Sequence, residues 1–292
     1  MVRNITLERK SSAPESGAMM EFDLSMTASP RPFLSFCNVN VMRGERTILH
    51  DIHLELHRGE RIAILGPNGC GKSTLIKTMT CEIYPLVQPG MHTEIFERQR
   101  WDLMELKRKL GVVTSETPSK SARHTTAFDT VLTGFFSSTT LWPNLVVTEE
   151  MRIKAAAAIE QVGAVRFAQQ ELGTLSAGQQ KRVMIARALV GSGETAEERM
   201  LLLDEPSNAL DIAAQAELRS TMRELVQQGT GLILVTHHIE DIIPEINRVL
   251  MMRDGRIVDD GPRHKMLTED KLYDLFGVRV QLHERDGYFH AW

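Results

Sequence analysis

The sequence predicts an α/β fold with a mostly parallel sheet, an antiparallel β subdomain toward its start and an inserted helical subdomain. Short apolar runs at residues 62–65, 200–203 and 232–235 show no alternation, as expected of strands covered on both faces. Between the last two lies the amphipathic stretch AAQAELRSTMRELVQQG, so strand, helix and strand follow one another as in a parallel sheet. Nearer the start, apolar and polar residues alternate with period two, the mark of strands with one face on a core and the other in water.

Residues 1–32 are rich in Ser, Pro and Ala and lack the apolar core of about 7–15 residues of a secretory signal, so they read as a poorly ordered leader. From Leu34 onward, Cys37, Val39 and Val41 alternate with Asn38 and Asn40. Ile52, Leu54 and Leu56 then alternate with Asp51, His53, Glu55 and His57, giving an antiparallel strand pair. RIAILGPNGCGKSTLIKTM follows as strand, glycine-rich turn and a helix opening at Lys72 or Ser73. Residues of about 102–190 form the helical insertion, with helical period in MRIKAAAAIEQVGAV. The helix after LSAGQQ carries one buried stripe of Val183, Ala186, Leu189 and Val190. RVLMMRDGRIVDDG reads as a hairpin turning at Asp254 and Gly255. A helix at KLYDLFG closes a domain running over 33–287, and 288–292 are a short tail.

The totals narrow the function. A length of 292 residues suits one α/β domain with appendages. Lys plus Arg number 34 against 38 Asp plus Glu, a net charge of -4, which is not the basic footprint of a phosphate-backbone reader; nucleic acid is not an expected partner. Cys37, Cys70 and Cys81 are expected to be free thiols in a reducing compartment. No apolar run reaches the roughly 20 residues of a membrane helix.

GPNGCGKS matches G-x-x-x-x-G-K-[ST] at Gly66, Gly71, Lys72 and Ser73, between an apolar strand and a helix start. The loop Gly66, Pro67, Asn68, Gly69, Cys70 and Gly71, continuing to Thr74, lets backbone N–H groups close on phosphate oxygens. Lys72 is expected to neutralise the β and γ phosphates and Ser73 to offer its hydroxyl to Mg²⁺. Cys70 is a serine-sized filler or, in the electropositive loop, a redox-sensitive thiol. At the end of MLLLDE two carboxylates meet a buried strand tip and need a balancing cation. Asp204 is the expected metal ligand and Glu205 the general base for water. His237, closing a third apolar strand, is by itself an ordinary histidine.

GPNGCGKST, LSAGQ, LLLDEP, SNALD and VTHH, in this order, resemble the ATP-binding subunits of ABC transporters over residues 33–287. LGVVTS, TVLTGFF, VTHHIEDI and LFGVRV look closest to molybdate or iron-chelate type importers. The resemblance implies a P-loop NTPase fold, ATP and Mg²⁺ as cofactors, and a second, identical ATPase subunit. Ser176, Gly178 and Gln179 would touch the γ-phosphate of the ATP bound by that second subunit, with Ala177 altering the usual LSGGQ. Asp211 would join the two sites across the interface, and His237 would contact the γ-phosphate and attacking water. Arg43 falls where the family stacks an aromatic on adenine, and a guanidinium also stacks on a base. The usual metal-reaching glutamine falls on Ser115, with Glu116 as the alternative.

Two functions fit this resemblance. One is a cytoplasmic ATPase at the inner face of the membrane, powering a separately encoded permease, with import as the expected direction. The other is a soluble ABC ATPase that clamps another protein or nucleic acid. The single cassette and the lack of a long coiled coil or zinc insertion argue against translation-factor and chromosome types. Phe135, Phe136, Leu141 and Trp142 are either core of the helical region or a permease-docking surface.

Overall fold

The computed structural model describes residues 31–114, 123–192 and 199–292, and the expected leader falls outside them except for Arg31 and Pro32. Strands β1 (Leu34–Arg43) and β2 (Arg46–Leu56) pair antiparallel, from Leu34 opposite Leu56 to Arg43 opposite Arg46. The chain then passes through β3 (Arg61–Leu65) and helix α1 (Lys72–Met79) before β4 (His92–Ile95) returns to pair antiparallel with β1.

The alternation expected in β1 holds only in part. Leu34, Phe36, Val39 and Val41 are buried, whereas Cys37 is exposed. The register shifts between Phe36 and Val39, and Asn38 takes a left-handed φ of 52°. An extra residue in the strand moves the buried set from even to odd positions, which places Cys37 on the solvent side. In β2, Ile52, Leu54 and Leu56 are buried as expected.

The second sheet is the scaffold of the site. After α2 (Leu103–Lys109) come β5 (Leu110–Val113), β6 (Met200–Asp204), β7 (Gly231–Thr236), β8 (Arg248–Arg253) and β9 (Arg256–Pro262), in the spatial order β5-β6-β7-β3-β8-β9. All neighbours are parallel except β8 and β9, the hairpin expected at Asp254 and Gly255. Strand β5 corrects the reading of residues from 102 onward as helical: LGVV pairs with β6 at the sheet edge.

Each parallel strand feeds two cores. Ala63, Leu65, Leu201, Leu203, Leu232 and Leu234 point into one. Ile62, Ile64, Met200, Leu202, Ile233 and Val235 point into the other. This double burial is why the runs carry no polar alternation. The first core is shared with α3 (Ala127–Leu132), α4 (Glu149–Gln161), α5 (Ala177–Gly191) and α6 (Ile212–Gln227). Their starts are set by side-chain caps from Thr126, Thr148, Ser176 and Asp211 to backbone N–H groups. Helix α5 buries Ile185 and Ala188 as well as Val183, Ala186 and Leu189, a wider face than one stripe because β5 packs on it too.

Helices α7 (Arg263–Met266) and α8 (Glu269–Phe276) precede a hairpin of β10 (Leu282–Arg285) and β11 (Tyr288–Ala291). The residues expected to be a tail are therefore a strand, with Phe289 buried in the first core. No helix among the described residues is long and apolar enough to cross a membrane.

Candidate nucleotide and metal site

The loop between β3 and α1 owes its shape to two close approaches. A Cβ on Gly66 would collide with the Met252 carbonyl and stand 2.8 Å from Cys70 Sγ. Gly71, at φ 109°, caps α1 without a side-chain hydrogen bond, and a Cβ there would meet Leu49 Cδ2 at 2.9 Å. The first turn of α1 holds no acidic residue, so the positive end of the helix dipole is not offset there. The hairpin turn β8–β9 braces the loop: Gly255 N donates to Cys70 O at 2.9 Å, and His50 N of β2 donates to Gly255 O at 2.9 Å. Asn68 and Gly69 form the exposed tip, Pro67 is half-buried, and Thr74 is buried with its carbonyl accepting from Thr78 Oγ1. Burial pushes the Cys70 thiol up, opposed by nearby Lys72, which favours the filler reading over the redox-sensitive one.

Lys72 is buried, and its Nζ donates to the carbonyls of Gly66 at 2.7 Å and Pro67 at 3.1 Å. It also pairs with Glu205 Oε1 at 3.3 Å. Glu205 follows the tip of β6 with a left-handed φ of 46°, an uncommon conformation for a side chain of this size. Its N–H donates to Val235 O at 2.8 Å, and the turn aims the carboxylate so that Oε2 stands 2.7 Å from His237 Nδ1. Lys72 at the start of α1, Glu205 after β6 and His237 after β7 are thus one contiguous group.

Asp204 is buried beside them, and its Oδ1 has no hydrogen-bond partner. Burial, and then the charge of Glu205, push its carboxyl up to about 6. A buried carboxylate oxygen without a partner among the described residues, together with an exposed Ser73 hydroxyl at the start of α1, fits a hard divalent cation with oxygen ligands. Ser73 and Asp204 are the residues that would hold Mg²⁺.

Sequence reasoning missed a layer behind this group. Asp241 is buried and accepts hydrogen bonds through Oδ2 from Ser207 Oγ and, at 3.1 Å, from Thr236 Oγ1. Thr236 Oγ1 in turn accepts from His238 N at 3.0 Å, so Asp241 fixes the turn that presents His237. Burial raises the Asp241 carboxyl, and the two hydroxyl donors oppose the rise. Asp241→Ala leaves both hydroxyls without their acceptor and should cost about 1–3 kcal/mol. Asp241→Asn keeps a carbonyl acceptor and should cost less. Urea unfolding curves decide this, and an unchanged midpoint for the alanine variant would contradict it. Lys181, also missed, sits on α5 with Nζ 3.4 Å from Thr114 O at the end of β5. Burial lowers its amine and Asp204 opposes that, which makes it a further cation for the β6 tip.

The remaining site residues lie elsewhere in this chain. Ser176 accepts from Gln179 N at 3.3 Å while Gln179 Oε1 accepts from Ser176 N at 2.9 Å, a capping box that satisfies two backbone N–H groups at the start of α5. Gly178 lies against α6, where a Cβ would stand 2.8 Å from Ala214 Cβ. Ala177 is exposed. None of Ser176, Gly178 and Gln179 bonds to the 66–74 loop among the described residues. Asp211 caps α6 through Ala214 N at 2.8 Å, and Arg43 is exposed at the β1–β2 turn. Ser115 and Glu116 lie outside the described residues.

A loop that offers an anion only backbone N–H groups and one lysine, facing a strand tip with two carboxylates, places this chain among the P-loop NTPases. A family model described as ABC transporter matches residues 49–208. The chain belongs to this family and is an ATP-binding, ATP-hydrolysing subunit of the ABC transporter type. It is 31% identical over 252 residues to the uncharacterized ABC transporter ATP-binding protein YlmA of Bacillus subtilis, covering 85% of this chain and 92% of the relative. The hemin import ATP-binding protein HmuV of Hahella chejuensis is 32% identical, over 82% of this chain and 91% of the relative. An inward-facing metal-chelate type ABC transporter shares the fold, with a TM-score of 0.71 at 24% identity over 89% of this chain and 96% of that one. The dimeric ATP-binding cassette MJ0796 bound to ADP and Pi has a TM-score of 0.63 at 26% identity, over 78% and 98%.

Proposed function

We propose that two copies of this chain close around two Mg-ATP and drive a separately encoded membrane permease, in the direction of import. The observation that carries the chemistry is Glu205 held at the β6 tip between Lys72 Nζ and His237 Nδ1. Fixed there, its carboxylate takes the proton of an attacking water, while His237 keeps it oriented and Lys72 neutralises phosphate charge. Bound Mg²⁺ would supply charge neutralisation at the phosphates.

Dimer formation is supported by the capped turn at Ser176, Gly178 and Gln179, which makes no hydrogen bond to its own phosphate loop and leaves the Ser176 hydroxyl exposed toward another subunit's. The dimeric MJ0796 cassette offers a precedent. Asp211 would lie at the same interface, and Arg43 would stack on adenine. The hemin import relatives support import and an iron-chelate cargo. Trp142 is 59% exposed while Phe135 and Leu141 pack against the core, so a permease-docking face there centres on Trp142. On this reading the subunit works at the cytoplasmic side of the membrane.

Reconstitution with the membrane permease of a hemin importer tests the reading: ATP-dependent hemin uptake into vesicles should appear and vanish with Glu205→Gln. Hydrolysis without any permease-dependent uptake would favour the soluble clamp. Ser73→Ala should raise the magnesium requirement strongly, whereas Ser115→Ala should change basal ATPase only about threefold, because serine is too short to replace a metal-reaching glutamine. Magnesium titrations that collapse equally in both variants would show Ser115 to be a direct ligand.

A further inference from the structure

The opposite ends of the same strands build a different feature. Arg58 precedes β3, Lys109 precedes β5 and Arg199 precedes β6, and all three line an open cleft of about 570 Å³ whose far wall includes Lys154 and Gln161 of α4. Among its described lining residues there is no carboxylate. Lys154 is paired with Glu150 at 2.7 Å, but Arg58, Lys109 and Arg199 have no ion pair among the described residues. Arg58 and Lys109 rest against the Phe96 ring, 5.3 and 5.8 Å from its centroid, which fixes both cations beside the cleft without using their N–H donors. Arg199 Nε is buried with no hydrogen-bond partner, and burial draws its guanidinium down. Arg199, partly desolvated beside the exposed Arg58 and Lys109 and without counter-charge among the described residues, is unfavourably placed unless an anion joins it.

We propose that this cleft is a second anion site, which binds a soluble phosphorylated small molecule through two or more phosphate groups. A volume of about 570 Å³ and cations spread over several walls exceed what one orthophosphate fills. The site lies at the β6 end away from Asp204, so it is separate from the phosphate loop. The competing account is that these cations only offset the negative C-terminal end of α5, whose residues 189–191 also line the cleft. The two accounts differ in sign: neutralising a structural cation destabilises the fold, whereas neutralising one of an uncompensated cluster leaves it unchanged or more stable.

The full chain carrying Lys72→Ala, which weakens the phosphate loop, should be titrated calorimetrically with inorganic pyrophosphate and tripolyphosphate at about 50 mM salt. Saturable binding is expected. Adding Arg58→Gln and Lys109→Gln should weaken it at least about tenfold while the anion-free melting temperature holds or rises. Lack of saturable binding, or binding indifferent to both substitutions, would overturn the proposal. So would a fall in melting temperature with pyrophosphate binding unaltered. Association with phosphatidylglycerol vesicles in the absence of pyrophosphate binding would replace the soluble ligand with a lipid surface.

Discussion

Glu205→Gln is expected to bind ATP with nearly unchanged affinity and to hydrolyse it about 10²–10⁴-fold more slowly. The amide keeps the volume of the carboxylate and an oxygen for His237, but it is a far poorer proton acceptor. Lys72 loses one partner at 3.3 Å and keeps two, the carbonyls of Gly66 and Pro67, so the loop retains its shape. Binding without turnover should trap the ATP-bound dimer, seen as a stable species of doubled mass on gel filtration with Mg-ATP. A phosphate-release rate within about threefold of wild type, in protein free of contaminating ATPase, would remove Glu205 as the base.

The second large effect concerns Ser176. Ser176→Arg should leave single-chain ATP affinity nearly intact and abolish ATP-driven dimerisation in the Glu205→Gln background. The capping box adds a complication, legible in the Ser-x-x-Gln spacing, because arginine also removes the cap of α5 at a cost of about 1 kcal/mol. Ser176→Asp separates the two roles. Aspartate caps as well as serine, yet sets a negative charge against the partner's γ-phosphate. Sedimentation should show monomers for both variants, with normal thermal stability only for aspartate. Weakened ATP binding by the isolated monomer would place LSAGQ in its own subunit's pocket and refute the shared site.

The chemistry was most legible where one short stretch encodes it. The phosphate loop and Asp204-Glu205 follow from local spacing and from the cost of burying carboxylates, and the structure gathers them. The contact of Glu205 with His237 is not local, and only the order of motifs hinted at it. Asp241 left no mark, because an aspartate after an apolar strand reads as surface until Ser207 and Thr236 are seen to enclose it. Strand β5 was lost because four apolar residues after a helix make too short a run to declare a strand. The Cys37 face was misassigned because one left-handed residue, Asn38, resets the count. The final hairpin did carry a signal: Asp286 and Gly287, both at positive φ, are the same turn pair as Asp254 and Gly255.

The bracing of the phosphate loop also bears on when activity begins. Both sheet neighbours of β3, β7 and β8, are made late in the chain, and the loop's outline depends on Met252 and Gly255. Contacts this distant along a polypeptide form late in folding, since the intervening chain must first be ordered. A polypeptide still being synthesised therefore carries the nucleotide-binding residues long before it has the mould that shapes them. Fragments that stop short of the β8–β9 hairpin should be unable to grip ATP, and the energy-consuming step becomes available only to a subunit that is complete enough to use it.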